Sequence, residues 1–196
     1  MNTSARFFLL PFYIFEQILI VRRLSYIIPL LSVLFVASLK VQAQEPTSAI
    51  DWHTFTELNA EGHQNKKVII FIYADWCKWC KQMNESVFPS QEISQLVNSN
   101  YYAIKLNGEK DQQIEFKGKT YNLKKEGENV FHEITEEFNK GNIAYPSIVI
   151  LDENLKSIQA LKGFRQITEM RNILNYFSEN YYKKISWSNY VNSVNN

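Results

Sequence analysis

The fold of this 196-residue chain is decided by the stretch VIIFIYADWCKWCK, which spans Val68–Lys81. Its first six residues are apolar without alternation, and a run of this kind predicts a strand that is buried on both faces of a sheet. The two cysteines, Cys77 and Cys80, follow at once, and a helix is predicted from Lys78 to Ser86. A doubly buried strand that leads into a helix indicates an α/β domain.

The periodicity of the apolar residues predicts further helices and strands on both sides of this junction. Helices are expected over 51–60, with Asp51 as the cap and Gly62 as the end, and over 90–99, 129–138 and 167–177. Strands are expected over 101–106, 147–151 and 155–161. Together these elements predict a mixed four-stranded sheet with helices on both faces.

Between Asn107 and Pro146 lie 38 residues, too many for a structureless loop in a compact domain. Residues 114–121 alternate around Lys117-Gly118, which is typical of a hairpin. The segment 108–145 is therefore expected to hold a hairpin and the helix 129–138, inserted beside the cysteine pair. The sequence leaves two interpretations of this segment open: it contributes to the selection of binding partners, or it is a surface elaboration without partner contacts.

The first 43 residues follow the order of a secretory signal peptide. Arg22-Arg23 precedes an apolar run over 24–39, and Val41-Gln42-Ala43 then has small residues at the two positions that a signal peptidase reads. The run of 16 residues is short for a transmembrane helix, which needs about 20. We therefore expect cleavage near Ala43, a domain over 44–180 and a C-terminal tail over 181–196. Two interpretations of residues 1–20 stay open: a true start near Val21, or an N-terminal membrane anchor.

Composition and charge exclude some classes of protein. Hydrophobic residues make up 45% of the chain, which argues against disorder. The first 43 residues hold four basic residues and one acid, which leaves 17 basic and 19 acidic residues in the rest. A body with this balance and no Lys/Arg block has no electrostatic reason to bind nucleic acid.

The pair of cysteines indicates redox chemistry. A thiol at Cys77 would lie among the free N–H groups that open a helix, where a thiolate is stabilised, and Lys78 adds positive charge. Cys80 lies on the same helical face, within disulfide reach of Cys77. A structural disulfide across so short a loop stabilises by only about 2 kcal/mol, which disfavours that alternative.

Two metal-based alternatives are also disfavoured by the residues. The three histidines, His53, His63 and His132, lack the spacing of a zinc site. A c-type haem requires histidine after the second cysteine, where this chain has Lys81. We expect no metal and no cofactor beyond the redox-active disulfide Cys77–Cys80.

Three stretches resemble the thioredoxin superfamily. Ala74–Lys81 is similar to the active-site stretch A-x-W-C-x-x-C-K of that family, and Ala103–Asn107 to the strand that follows it. Ala144–Ser147 falls where the family keeps a cis-proline. The resemblance covers Trp52 to Phe177, and it is strongest to exported bacterial thioredoxin-like proteins with a W-C-x-W-C centre and an enlarged segment before the cis-proline.

The resemblance implies a role for individual residues. Cys77 would be the nucleophile and Cys80 the resolving thiol. Pro146, in cis, would place the backbone of Tyr145 beside the sulfurs, where an extended substrate strand pairs with it. Trp76 would shield Cys77 or serve as a core aromatic residue.

The chain also departs from the family pattern. Phe71 stands where thioredoxins carry a buried aspartate, so Lys105, which resembles a family lysine below the active site or is a solvated strand-end residue, lacks its usual partner. Asp75 is a candidate substitute base. Lys78-Trp79 replaces Gly-Pro between the cysteines and tunes which redox form is favoured.

The expected function is thiol–disulfide exchange with protein thiols and disulfides in the periplasm or outside the cell. A reductase would draw electrons from a membrane partner, since disulfides persist there. The alternatives are an oxidase or isomerase, a non-catalytic module that captures thiols or copper, and a membrane-anchored assembly factor. We expect the domain to be a monomer.

Overall fold

The computed structural model of the chain describes residues 49–110 and 113–194. The predicted signal peptide, its cleavage near Ala43, the start near Val21 and the alternative anchor lie outside these residues. Within the described ranges, no helix is long and apolar enough to cross a membrane.

The described residues form eight strands and six α-helices. In chain order they are β1 Trp52–His53, α1 Phe55–Glu61, β2 Lys67–Tyr73, α2 Lys78–Gln82, α3 Gln91–Asn100, β3 Tyr101–Asn107, β4 Gln113–Phe116, β5 Lys119–Glu126, β6 Asn129–His132, α4 Glu133–Phe138, β7 Ser147–Leu151, β8 Ser157–Lys162, α5 Ile167–Ser178 and α6 Trp187–Val194. A π-helical turn, Met83–Val87, continues α2, and a 3₁₀ turn, Tyr181–Lys183, precedes α6.

The central sheet is mixed and has the order β1-β3-β2-β7-β8. β1, β3 and β2 are parallel, while β7 and β8 join antiparallel. The predicted α/β class with a mixed sheet and flanking helices is confirmed. The predicted number of four strands is wrong, because Trp52–His53 adds a fifth strand at the edge beside Ala103 and Ile104.

Helix α1 begins at Phe55 rather than at Asp51, because Thr54 is its N-cap. The Thr54 Oγ1 accepts a hydrogen bond from the Glu57 backbone N–H at 3.2 Å, and the Glu57 carboxylate accepts one from the Thr54 N–H at 2.6 Å. This reciprocal capping box satisfies two free N–H groups of the first turn. It leaves Trp52 and His53 extended, so that they pair with β3. Gly62 ends the helix as predicted.

The core lies on both faces of β2, as its unbroken apolar run predicts. On one face Ile69 and Phe71 pack with the residues of α2, α3 and α5. On the other face Val68, Ile70 and Ile72 pack with α1 and the segment 108–145. All five are fully buried, and each contributes about 1.5–3 kcal/mol to the free energy of folding.

The segment 108–145 forms a second, three-stranded antiparallel sheet and the short helix α4. The predicted hairpin is confirmed: β4 and β5 pair on either side of Lys117-Gly118. The predicted helix over 129–138 is wrong in its first four residues, which form β6 against β5. Gly127, at a φ of 61°, makes the tight turn that returns the chain onto β5. Helix α4 begins only at Glu133.

The C-terminal tail packs on α5. Tyr190 of α6 is buried, with its ring 5.1 Å from that of Tyr176. The Tyr176 hydroxyl donates a hydrogen bond to the backbone carbonyl of Ile185 at 2.7 Å. The tail is therefore held against α5 by packing between aromatic rings and by this hydrogen bond.

Candidate active site

Cys77 and Cys80 form a disulfide at the point where β2 leads into α2. Cys77 is the N-cap of the helix, and Cys80 lies in its first turn, with 5.3 Å between the two Cα atoms. The Cys80 backbone N–H donates a hydrogen bond to the Cys77 Sγ at 3.1 Å. In the reduced protein this donor would stabilise negative charge on the Cys77 sulfur. Only 3% of Cys77 and 1% of Cys80 is exposed.

Two exposed tryptophans flank the buried disulfide. Trp76 is 68% exposed, so it is not a core residue. Its indole Nε1 donates to both carboxylate oxygens of Glu109, at 2.9 and 3.1 Å, and its ring lies edge-on to Tyr145 with 6.0 Å between centroids. Glu109 therefore fixes the orientation of the indole that adjoins Cys77.

Trp79 is 52% exposed and rests on Phe164, with 5.2 Å between ring centroids. Phe164 lies in the loop between β8 and α5, where Arg165 donates hydrogen bonds to the carbonyls of Phe164 and Lys162, at 2.9 and 3.0 Å. Arg165 also pairs with Glu169 at 3.1 Å. The loop, held by these contacts of Arg165, thus supports the Trp79 ring through Phe164. Lys78, between the cysteines, is exposed.

The Tyr145–Pro146 peptide bond is cis in the structure. The Pro146 carbonyl accepts a hydrogen bond from the Gly163 N–H at 2.8 Å, which joins this strand end to the Phe164 loop. The Tyr145 ring lies against Gly108 so closely that a Cβ there would be 2.6 Å from Tyr145 Cε1. Burial raises the pKa of the Tyr145 hydroxyl above its ordinary range, and the nearby charge of Glu109 adds to this.

Asp75 lies at the surface among polar partners. Its carboxylate pairs with Lys110 and accepts a hydrogen bond from the Asn107 side-chain amide at 3.0 Å. Asn107 Oδ1 in turn accepts from the Glu109 N–H at 3.0 Å. The structure therefore places Asp75 in a network with the end of β3, and about half of its side chain is exposed.

Phe71 and Lys105 are register partners on β2 and β3. Phe71 is fully buried and packs on Trp52 and Phe88, at centroid distances of 6.1 and 4.7 Å. The position that holds an acid in thioredoxins is therefore apolar here. Lys105 is half-buried, with its Nζ 5.2 Å from the ring centroid of Tyr73, and burial lowers its pKa.

The histidines serve separate local roles. His53 stacks on Tyr102 at 4.1 Å, and His63 contacts the Lys66 carbonyl at 2.9 Å. His132 is fully buried as the N-cap of α4, and burial lowers its pKa. Across the described ranges, no three His, Cys, Asp or Glu side chains converge as metal ligands do.

Glu109, Gly108, Phe164 and Arg165 are not among the residues that the sequence indicates. Glu109 and Gly108 could have been found from the predicted strands. Because the parallel strands β2 and β3 end at the same edge of the sheet, the residues after Asn107 lie beside those after Tyr73. The hydrogen bond from the Gly108 N–H to the Tyr73 carbonyl, at 2.8 Å, shows this meeting. No comparable local pattern points to Phe164 and Arg165.

A family model described as a thioredoxin-like domain matches residues 56–178, more than half of the chain. The chain belongs to the thioredoxin-like domain family. A thioredoxin-like domain with a disulfide in a C-x-x-C motif supports a thiol–disulfide oxidoreductase in general.

Solved structures similar to this thioredoxin-like domain include a thioredoxin-fold protein from Helicobacter pylori. It is 15% identical, with a TM-score of 0.49, and the match covers 67% of this chain and 85% of that one. A thioredoxin from Thermus thermophilus is 16% identical, with a TM-score of 0.46, over 66% of this chain and 87% of that one.

Among curated proteins, spermatogenesis-associated protein 20 of Rattus norvegicus and of Mus musculus are each 23% identical to this chain over 74 residues. The match covers 37% of this chain and 9% of each relative. The thioredoxin-like domain thus spans a small part of the length of these relatives.

Proposed function

We propose that this thioredoxin-like domain exchanges disulfides with protein substrates outside the cytoplasm, as a reductase. The observation that carries the proposal is the Cys77–Cys80 disulfide at the opening of α2, with the Cys80 N–H directed at the Cys77 sulfur. The signal-peptide pattern of residues 1–43 supports export. In a compartment where disulfides persist, a reductase needs electrons from a membrane partner.

The reaction has two steps. The Cys77 thiolate attacks one sulfur of a substrate disulfide, which forms a mixed disulfide and releases the other substrate sulfur as a thiolate. Cys80 then loses its proton and attacks the Cys77 sulfur, which forms the Cys77–Cys80 bond and releases the second substrate thiolate. Two electrons pass from the dithiol to the substrate, and the disulfide in the structure is the oxidised product.

The surroundings of the disulfide suit this exchange. Burial of both sulfurs limits attack by small oxidants, while Trp76 and Trp79 offer apolar surface on either side of the point of entry. Within the described residues, the N–H and C=O groups of the Tyr145 backbone have no hydrogen-bond partner, so they are free to pair with an extended substrate strand.

Insulin reduction by the mature chain, with Cys77→Ser as the control, tests the catalytic proposal. We expect turnover by the wild type and none by the variant. Equal inertness of both, together with tight binding of copper, would instead support a capture module.

The redox equilibrium with glutathione tests the direction. A reduction potential of about −270 mV supports the reductase, and one of about −120 mV an oxidase. Trapping of mixed disulfides with Cys80→Ala identifies the substrates. The intact mass of the native protein tests export, since we expect an N-terminus at Gln44.

A further inference from the structure

A groove of about 710 Å³ lies beside Trp76, the residue that precedes Cys77, and is lined mainly by the segment 108–145. One wall is the edge strand β6, the other is the stretch Ile143–Tyr145, and Trp76 stands at the end nearest the disulfide. We propose that this groove holds the extended part of the substrate chain on one side of its reactive cysteine, and that it favours basic stretches. The inference rests on the proposed exchange reaction and names a substrate class for it.

The walls offer backbone groups that an extended chain can pair with. In the small sheet β6 is an edge strand that pairs with β5. The His132 N–H points away from β5 and donates a hydrogen bond to the Gly108 carbonyl at 2.7 Å. Because alternate residues of a strand direct their backbone groups to the same side, those of Val130 also face away from β5. On the opposite wall, Ile143, Ala144 and Tyr145 have no backbone partner within the described part of the chain.

The charge of the residues that line the groove indicates which peptides it would bind. Four glutamates line the groove and no lysine or arginine does: Glu109, Glu126, Glu128 and Glu136. Lys124 is the only cation paired with any of the four among the described residues, at 2.7 Å from Glu126 and 3.3 Å from Glu136. The groove therefore keeps an excess of negative charge along exposed apolar surface such as Val130. Lysines and arginines suit such a lining through both their charge and their apolar stems.

The four glutamates do not line the other side of the disulfide. There Trp79 rests on Phe164, and the neighbouring Arg165 is already paired with Glu169. A basic stretch is thus favoured on the groove side only. Selection by the groove therefore depends on which flank of the substrate cysteine carries the positive charge, whereas long-range attraction by the whole protein does not.

The test uses the reduced protein and peptides whose single cysteine carries thionitrobenzoate as a mixed disulfide. Attack by Cys77 on the peptide sulfur breaks that bond and releases a coloured thiolate, whatever the natural direction of electron flow. Four peptides are compared. The first carries three lysines on one flank of its cysteine and serines on the other, and the second has these two flanks exchanged. The third has glutamates in place of the lysines, and the fourth has serines on both flanks. We expect one lysine peptide to react about tenfold faster than its reverse.

The matched variants separate the groove from net charge. Glu126→Gln, Glu128→Gln and Glu136→Gln together should abolish the preference and leave the rate with the all-serine peptide unchanged. Glu61→Gln, Glu115→Gln and Glu179→Gln make the same change of charge at exposed positions outside the groove, Glu115 being on β4 of the same small sheet, and should preserve it. Salt should weaken the preference, since the Debye length falls from about 30 Å at 0.01 M to about 3 Å at 1 M.

Equal rates with the lysine and glutamate peptides, or with the two lysine orders, would overturn the inference while leaving the exchange reaction intact. The same would follow if the control variant lost the preference as fully as the groove variant. Failure of every peptide, including the all-serine one, would overturn the proposed function and the inference together.

Discussion

Trp76 and Trp79 flank the same disulfide, yet each rests on a different part of the chain. Trp76 contacts Tyr145 and donates to Glu109, which follows β3 at the start of the segment 108–145. Trp79 rests on Phe164 in the loop after β8. The two indoles therefore rest on different residues, and one hydrogen bond, from the Gly163 N–H to the Pro146 carbonyl, links the Phe164 loop to the strand end that carries Tyr145. The side built from the segment 108–145 is also the side with the acidic groove.

The largest expected effect is that of Gly108→Ala on the Trp76 side. A Cβ at Gly108 would lie 2.6 Å from Tyr145 Cε1 and Oη, so the ring beneath Trp76 has to move. We expect a loss of about 1–3 kcal/mol in the free energy of unfolding, as for other overpacked sites. A shift of Tyr145 should also slow thiol exchange about ten- to a hundredfold. Urea unfolding and exchange kinetics measure the two effects.

Gly163→Ala is the matched change on the Trp79 side. A Cβ there would meet only Arg165 Nη1, at 3.7 Å, and the cost comes from the φ of 92°. That cost is about 1–2 kcal/mol of stability. Exchange slowed as much as by Gly108→Ala would contradict the assignment of Tyr145 to the Trp76 side.

A smaller effect is expected for Arg165→Met, which removes the support of the Phe164 loop. The guanidinium donates to two backbone carbonyls and pairs with Glu169, and only 20% of the side chain is exposed. We expect a loss of about 1–2 kcal/mol and a changed indole NMR resonance of Trp79, with that of Trp76 unmoved. Arg165→Lys should restore little, because an ammonium lacks the fork that reaches both carbonyls. Movement of both resonances would show that the two sides are coupled.

The comparison also shows which features of the molecule the sequence could predict. The doubly buried β2, the cysteine pair at its end and the hairpin at Lys117-Gly118 follow from local patterns, and the structure has all three. Each depends on residues that are close in the sequence, so composition and spacing suffice. The supports of the two tryptophans depend on residues brought together by the strand order, which spacing does not encode.

The predicted helices over 51–60 and 129–138 are wrong in their first residues for the same reason, which is strand pairing with other parts of the chain. Trp52–His53 is too short for a strand pattern and pairs with residues 51 positions further along the chain. The Thr54–Glu57 capping box nevertheless marks the later helix start in the sequence. In β6 the spacing of Val130, Phe131 and Ile134 fits a helix face. Pairing with β5 decides the matter, because it satisfies the backbone groups of β6 that face β5.

Glu109→Ala is expected to affect orientation more than stability. It removes the acceptor of the Trp76 indole N–H, in a pair that is open to solvent. We expect a loss of about 0.5–1 kcal/mol at most. The indole NMR resonance of Trp76 should broaden or shift, and exchange with protein substrates should slow more than exchange with a small disulfide. Glu109→Gln keeps an oxygen acceptor and should restore the resonance; failure of this rescue would assign the effect to charge instead.

The smallest effect is expected for Asp75→Asn, on the polar rim of the Trp76 side. Asp75 pairs with Lys110, and this hydrogen bond raises the pKa of Lys110 above its ordinary value of 10.5. A raised lysine pKa in the folded state stabilises the protein below that ordinary value, and the contribution is lost as the pH rises through the raised pKa. The wild type should therefore be slightly more stable than the variant at neutral pH, and the difference should vanish in strong alkali.

The same variant decides whether Asp75 substitutes for the acid that Phe71 displaces. Its carboxylate is about half exposed and already engaged by Lys110 and Asn107, so we expect exchange to slow by less than about threefold, as for other exposed ion pairs. Lys110→Met breaks the same pair without removing the carboxylate, and it should have an equally small effect. A large loss with Asp75→Asn alone, in the step where Cys80 resolves the mixed disulfide, would instead identify Asp75 as the base that takes the Cys80 proton.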